Sequence, residues 1–209
     1  MKIVIFGPQG SGKGTQAKIL SAKLKVPHIS MGDLFRENIA QQTEPGRQAK
    51  KYHDLGRLVP DDLTIQLIND RLSQSNCRFG FILDGFPRTV PQAQALAKIV
   101  QLDKVLEIWI SDAETIRRLG SRRSCIKCGA IYHLEFNPSK VPGQCNECGS
   151  QLVIREDDTA AIIKERLAQY HQQTEPIKEF YQRQNKLVTI DGTPPIAEVT
   201  GQIVKQLNL

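Results

Sequence analysis

No apolar run in the 209-residue sequence approaches the roughly 20 residues of a membrane-spanning helix, and the chain reads as soluble. Aromatic residues are scarce at 6%, with a single tryptophan. That is too few for the stacking platforms of single-strand nucleic-acid binders. There is no low-complexity tract, and no nucleophile with an activating base stands out. Met1 leads at once into the strand-like run Ile3 to Phe6, leaving no room for a secretory signal, so a cytoplasmic location is expected. In a reducing compartment the five cysteines do not read as a disulfide framework, and four of them stand in two tight pairs.

What is present is ordinary globular material, 40% hydrophobic and 24% charged. The length fits one core with appendages better than two independent domains. Branched apolar runs at Ile3 to Phe6, Phe81 to Leu83, Val105 to Ile110 and Leu187 to Ile190 alternate with segments of helical period. Ala17, Leu20 and Leu24 share one helix face after the first run; Ala93 to Val100, Ala113 to Leu119 and Ile196 to Leu207 follow the others. This alternation predicts an α/β protein, a parallel sheet with helices on both faces. Two stretches break the rhythm. Residues 30–59 are polar and helix-prone without a strong strand, and 122–158 carry Pro, Gly and the paired cysteines. Both read as insertions on a core formed by 1–29, 60–121 and 159–209. Thr159 to Asn185 predicts a long helix bent or broken near Pro176.

Between the first strand and its helix lies Gly7-Pro-Gln-Gly10-Ser11-Gly12-Lys13, the G-x-x-x-x-G-K spacing of a phosphate-binding loop. Its glycines let successive N–H groups turn toward phosphate oxygens, Lys13 adds a charge for the outer phosphates, and the helix supplies its positive dipole end. A plain glycine-rich turn would need no lysine. Gly14 stands where a Ser or Thr usually ligates magnesium, with Thr15 next. Motors, switches and kinases all use such a loop.

Cys125-x2-Cys128-x16-Cys145-x2-Cys148 has the spacing of a four-thiolate ribbon, each pair followed by a glycine suited to a left-handed turn. Four thiolates fill a tetrahedral shell and leave no open position, which makes the metal structural; zinc and iron both fit. Cys77 stands alone and reads as a packed thiol.

The run Phe79 to Thr89 is an apolar strand ending in Asp84, then a turn and Arg88. Ligands of parallel sheets lie beyond the carboxyl ends of the strands, so both residues should face the crevice of the phosphate loop. Asp84 is a candidate for magnesium, through water, or alternatively for capping the helix near Thr89. Arg36, Arg118, Arg122, Arg155 and Arg166 flank the two insertions, and arginine forks match phosphate oxygens. Arg118 and Arg122, four apart, are expected to share one helix face.

Taken together, Gly7 to Gln16, Gly32-Asp33-Leu-Phe-Arg36, Gly56 to Asp61, Asp84 to Gln92, Arg155 to Asp158, Arg166 and Asp191-Gly-Thr-Pro194 resemble, in order, the adenylate kinases with a long zinc-bearing lid. Gly14 is normal in that family, whereas Met31 stands where it usually has threonine and Gly120-Ser121 where it usually has Ser-Gly. The resemblance spans the chain. It implies a P-loop core with a helical monophosphate-binding insertion and a zinc-ribbon lid, and reversible transfer of a phosphoryl group from ATP to AMP with magnesium. It also implies Gly10, Ser11, Gly12, Lys13, Gly14, Thr15, Arg118, Arg122, Ile131, Tyr132 and Pro194 around ATP. Around AMP it implies Met31, Arg36, Arg57, Leu58, Val59, Gly85, Phe86, Pro87, Arg88, Gln92, Arg155 and Arg166. Lys13, Asp84, Arg88, Arg122, Arg155 and Arg166 would carry catalysis, in a monomer with no nucleic-acid or membrane partner. A kinase for UMP or CMP is the nearer alternative. A zinc-ribbon ATPase on nucleic acid, which the net charge of +6 permits, lacks the carboxylate it would want where Gly85 stands.

Overall fold

A computed structural model describes residues 1–209, apart from the side chain of His53. Five parallel strands form one sheet: β1 (Lys2–Phe6), β2 (His28–Ser30), β3 (Phe81–Asp84), β4 (Lys104–Trp109) and β8 (Leu187–Asp191), in the order β2-β3-β1-β4-β8. The four expected strands are found, and β2 is an addition. Its three residues follow Pro27 and are too short for a periodic signal, yet they pair with β3 from His28 opposite Ile82 to Ser30 opposite Asp84.

Both faces of the sheet are covered, because alternate residues of each strand point opposite ways. Ile3 and Ile5 pack with Ala17 and Leu20 of α1 (Lys13–Leu24) and with Val199, Ile203 and Leu207 of α9 (Ile196–Leu207). Val4 and Phe6 face the other way, onto α4 (Asp61–Leu72), α5 (Val90–Ile99) and α8 (Ile177–Gln182) through Ile68, Leu96 and Tyr181. Each of these strand residues is at most 1% exposed. Burying such side chains is worth about 1.5–3 kcal/mol apiece, which fixes the register of β1 at the sheet centre.

Between β2 and α4 come α2 (Met31–Ala40) and α3 (Glu44–His53). After α6 (Asp112–Gly120) the chain leaves the core for a separate antiparallel sheet, β5 (Arg122–Cys125) between β6 (Ile131–His133) and β7 (Leu152–Val153). The long C-terminal helix is interrupted as expected. α7 (Ala160–Gln169) passes into a π-type turn over Tyr170–Thr174, and α8 begins just after Pro176. The pairing of Arg118 with Arg122 on a helix face is corrected: α6 stops at Gly120, Ser121 caps it, and Arg122 opens β5. Gly120 lowers the helix propensity there, and the ladder with β6 claims the following backbone.

Candidate active site

β1 delivers the phosphate loop to the middle of the sheet's carboxyl edge. α1 begins at Lys13 with Gly12 as its cap and no side-chain cap bond, so its first amides are not taken by a capping side chain. Ser11 Oγ is buried without a hydrogen-bond partner among the described residues. A buried, unpaired hydroxyl just before a helix N-terminus suits an anionic oxygen. Lys13 Nζ donates to Pro8 O at 3.0 Å. Burial lowers the Lys13 ammonium to about 8; Asp84 opposes the shift, and Arg88, Arg166 and Arg122 add to it.

Asp84 ends β3 opposite Ile5 of β1, which brings its carboxylate beside the loop. A Cβ on Gly14 would stand 3.2 Å from Asp84 Oδ2, so the glycine after the lysine leaves room for that carboxylate. His28 Nε2 lies 3.3 Å from the same oxygen. The capping alternative for Asp84 is not realised, because Thr89 Oγ1 itself caps α5, accepting from Gln92 N at 3.2 Å.

Arg88 is held from three directions. Its amide donates to Gln92 Oε1 at 2.7 Å, its Nε donates to Gly85 O at 2.7 Å, and its carbonyl accepts from Thr174 Oγ1 at 2.9 Å. Burial, then repulsion from Arg166, lowers its guanidinium to about 10. Arg155 is lowered to about 10 by burial and by Arg122 and Arg36; its Nε donates to Ser124 Oγ at 2.7 Å. Arg166 is lowered by burial against the pull of Asp157, to which its Nη1 donates at 2.8 Å. Arg122 pairs with the fully buried carboxylate of Asp158, Nε to Oδ2 at 2.7 Å. The guanidiniums remain charged near neutrality, and crowding several of them beside Lys13 favours an incoming anion.

Two cavities open on this cluster. One, about 600 Å³ counted to the open solvent, is lined by the apolar Met31, Phe35 and Val59 and by Arg36, Arg88 and Arg166. The other, about 490 Å³, lies against Gly7, Gln9 and Lys13 of the loop. Both share Gly85, Arg88 and Arg166 in their walls.

Farther out, the sulfurs of Cys125, Cys128, Cys145 and Cys148 all lie within 4.8 Å of one another, the one such cluster among the described residues. Cys125 and Cys148 are 3.4 Å apart, Cys128 and Cys145 3.5 Å. Sulfurs around a tetrahedral zinc stand about 3.8 Å apart, so the site needs little adjustment to hold one. Gly129 and Gly149 both have φ +71°, the left-handed turn expected after each pair. Amides of Lys127 and Cys128 donate to Cys125 Sγ at 3.4 and 3.5 Å, as orienting bonds to a thiolate should.

The family model of adenylate kinase matches residues 5–186. The chain belongs to the adenylate kinase family. It is similar to the adenylate kinase of Methanocella arvoryzae, 53% identical over 97% of this chain and 96% of the relative. To that of Agathobacter rectalis it is 49% identical over 98% of each, and to that of Acetivibrio thermocellus 46% identical over 100% of this chain and 98% of the relative.

Of the residues that the adenylate kinase resemblance implies around AMP, Met31, Arg36, Arg57, Leu58 and Val59 line the larger cavity. Gly85, Arg88, Gln92 and Arg166 complete that wall. Phe86 is fully buried, Pro87 lines the second cavity, and Arg155 lies outside both. Among those implied around ATP, Lys13 lines the loop cavity, while Arg118 reaches Gly10 O at 3.4 Å and Thr193 O, next to Pro194, at 3.0 Å. Ile131 and Tyr132 lie together on β6, but the Tyr132 hydroxyl is engaged with Cys145 Sγ and the Asn146 amide. Sequence reading missed Thr174 and Tyr170, which line the loop cavity from the π-type turn. A π-type turn has no periodic signature, so the pattern offered no signal for it. It missed His28 as well, since a three-residue strand hides which way its side chains point.

Proposed function

We propose that this chain catalyses the reversible transfer of a phosphoryl group from ATP to AMP, giving two ADP. The observation that carries this reading is the pair of cavities meeting at Arg88 and Arg166, one against the phosphate loop and one lined in part by Met31, Phe35 and Val59. Two anionic nucleotides bound head to head would bring donor and acceptor phosphates together at that shared wall. The transfer needs little covalent help from the protein; positioning and stabilisation of charge on the moving oxygens do the chemistry. Gly10 to Thr15 would hold the donor phosphates, with Arg118, Arg122, Ile131, Tyr132 and Pro194 around its nucleoside. Met31, Arg36, Arg57 to Val59, Gly85 to Arg88, Gln92, Arg155 and Arg166 would hold AMP. Lys13, Arg88, Arg122, Arg155 and Arg166 would surround the migrating group.

Asp84, open toward Gly14, fits a water-mediated magnesium ligand, and the ion would neutralise the ATP phosphates. The four cysteines would hold structural zinc. Residues 30–59 would act as the acceptor flap and 122–158 as the lid, on a core of 1–29, 60–121 and 159–209. The test is ATP offered with AMP, UMP or CMP and the diphosphates separated by chromatography. ADP should form from AMP far faster than either pyrimidine diphosphate forms; a faster pyrimidine acceptor, or no ADP from AMP, would overturn the reading.

A further inference from the structure

The polar side chains Gln92 and Thr64 line the larger cavity together with Met31, Phe35 and Val59. A terminal amide is nearly symmetrical in shape but opposite in chemistry across its two ends, so its orientation decides what it reads. Here the orientation follows from the partners. Gln92 Nε2 donates to Asp61 Oδ1 at 2.6 Å, and Gln92 Oε1 accepts from the Arg88 amide at 2.7 Å. A carboxylate only accepts and a backbone N–H only donates, so both partners demand the same orientation. Asp61 is fixed in turn, its other oxygen accepting from Thr89 Oγ1 at 2.9 Å. Gln92 is 2% exposed, so its amide is held mainly by these protein partners. Thr64 is committed too, its Oγ1 donating to Val59 O at 3.3 Å and Pro60 O at 3.0 Å, which leaves only lone pairs.

We propose that Asp61 is a specificity-positioning residue: it locks the Gln92 amide so that the acceptor pocket takes a 6-aminopurine and rejects a 6-oxopurine. Adenine presents an acceptor at N1 beside a donor at N6. Hypoxanthine and guanine present the reverse, a donor at N1 beside an acceptor at O6. A freely turning amide serves either edge; one held in the single orientation that serves AMP opposes the reversed edge of a 6-oxopurine. The inference rests on the acceptor reading above and adds to it a residue outside the cavity wall.

The test compares kcat/KM for AMP and IMP, with ATP as donor, in wild type, Asp61→Asn, Gln92→Ala and the double variant. Asparagine can turn either end toward Gln92, so D61N should lower the AMP-to-IMP preference about tenfold, the worth of one charge-assisted hydrogen bond. In the Gln92→Ala background the same change should leave the preference where Gln92→Ala alone set it. An unchanged preference in D61N, or an equal loss with both acceptors in both backgrounds, would overturn the proposal. In the folded wild type, NMR should also show one Gln92 Nε2 proton shifted strongly downfield; two ordinary amide protons would overturn it without any variant. Failure of wild type to use AMP would instead defeat the acceptor reading, a separate outcome.

Discussion

Lys13 sits among guanidiniums that add to the effect of burial, and its ammonium is held near 8 against a usual 10.5. Without nucleotide, the folded chain therefore binds fewer protons at Lys13 than the unfolded chain between those two values. The unliganded fold gains stability from this group as pH rises through that window. Nucleotide reverses the balance. Phosphate oxygens beside Nζ favour the ammonium and raise its pKa, so ATP binding above pH 8 must take up a proton. Affinity for ATP should fall as pH rises past about 8, with a slope approaching one decade per unit. Calorimetry at pH 9 in two buffers of different ionisation enthalpy measures the uptake directly, and equal heats in both would refute it. At pH 7 the uptake should be small, because Lys13 is already charged.

At the scale of elements, the small antiparallel sheet is the part least able to stand alone. Its apolar cluster is Cys125, Ala130, Tyr132, Cys145 and Leu152, so two of its five members are the thiolates themselves. A cluster that small cannot offset the ordering entropy of the segment, and the zinc proposed for the four cysteines would supply the difference. Stripping the metal with a chelator should lower the melting temperature, by about 2–4 °C for each kcal/mol lost, while turnover well below the transition changes less. A fully metal-free protein with an unchanged melting temperature would refute the structural role. The cysteine spacing made this element legible without a structure, because four soft ligands in two tight turns have few other uses. Long strands of branched residues and the Gly-Lys loop were legible for a similar reason: local sequence and global packing demand the same thing. What escaped was set by tertiary partners. β2 exists because β3 offers an open edge, Arg122 is a strand residue because β6 claims its backbone, and the tie from Asp61 to Gln92 spans thirty-one positions. Neither period nor propensity reports such pairings.

For the whole molecule, the question is what prevents water from taking the phosphoryl group meant for AMP. Arg88 and Arg166 face both cavities, so their cationic wall could serve hydrolysis as well as transfer unless solvent is excluded. The arrangement around α7 answers this. Arg57, in the segment after α3, lies 3.5 Å from Glu165 of α7, and Gly56 is so close to Ile162 that a Cβ there would stand 2.7 Å from its Cγ2. The end of the second insertion is tied to the same helix, Arg166 Nη1 donating to Asp157 Oδ2 at 2.8 Å. One helix thus receives the near ends of both insertions, and Arg166 projects from it into the shared wall. In the proposed reading, an empty acceptor cavity would leave the flap without the phosphate that draws Arg36 and Arg88 together and the wall open to water, and a filled one would close it. ATP alone should therefore release inorganic phosphate orders of magnitude more slowly than ADP forms when AMP is added. Phosphate release without any monophosphate, measured beside ADP formation in the same preparation, decides the point; comparable rates would mean that the two insertions do not exclude water, whatever nucleotides they hold.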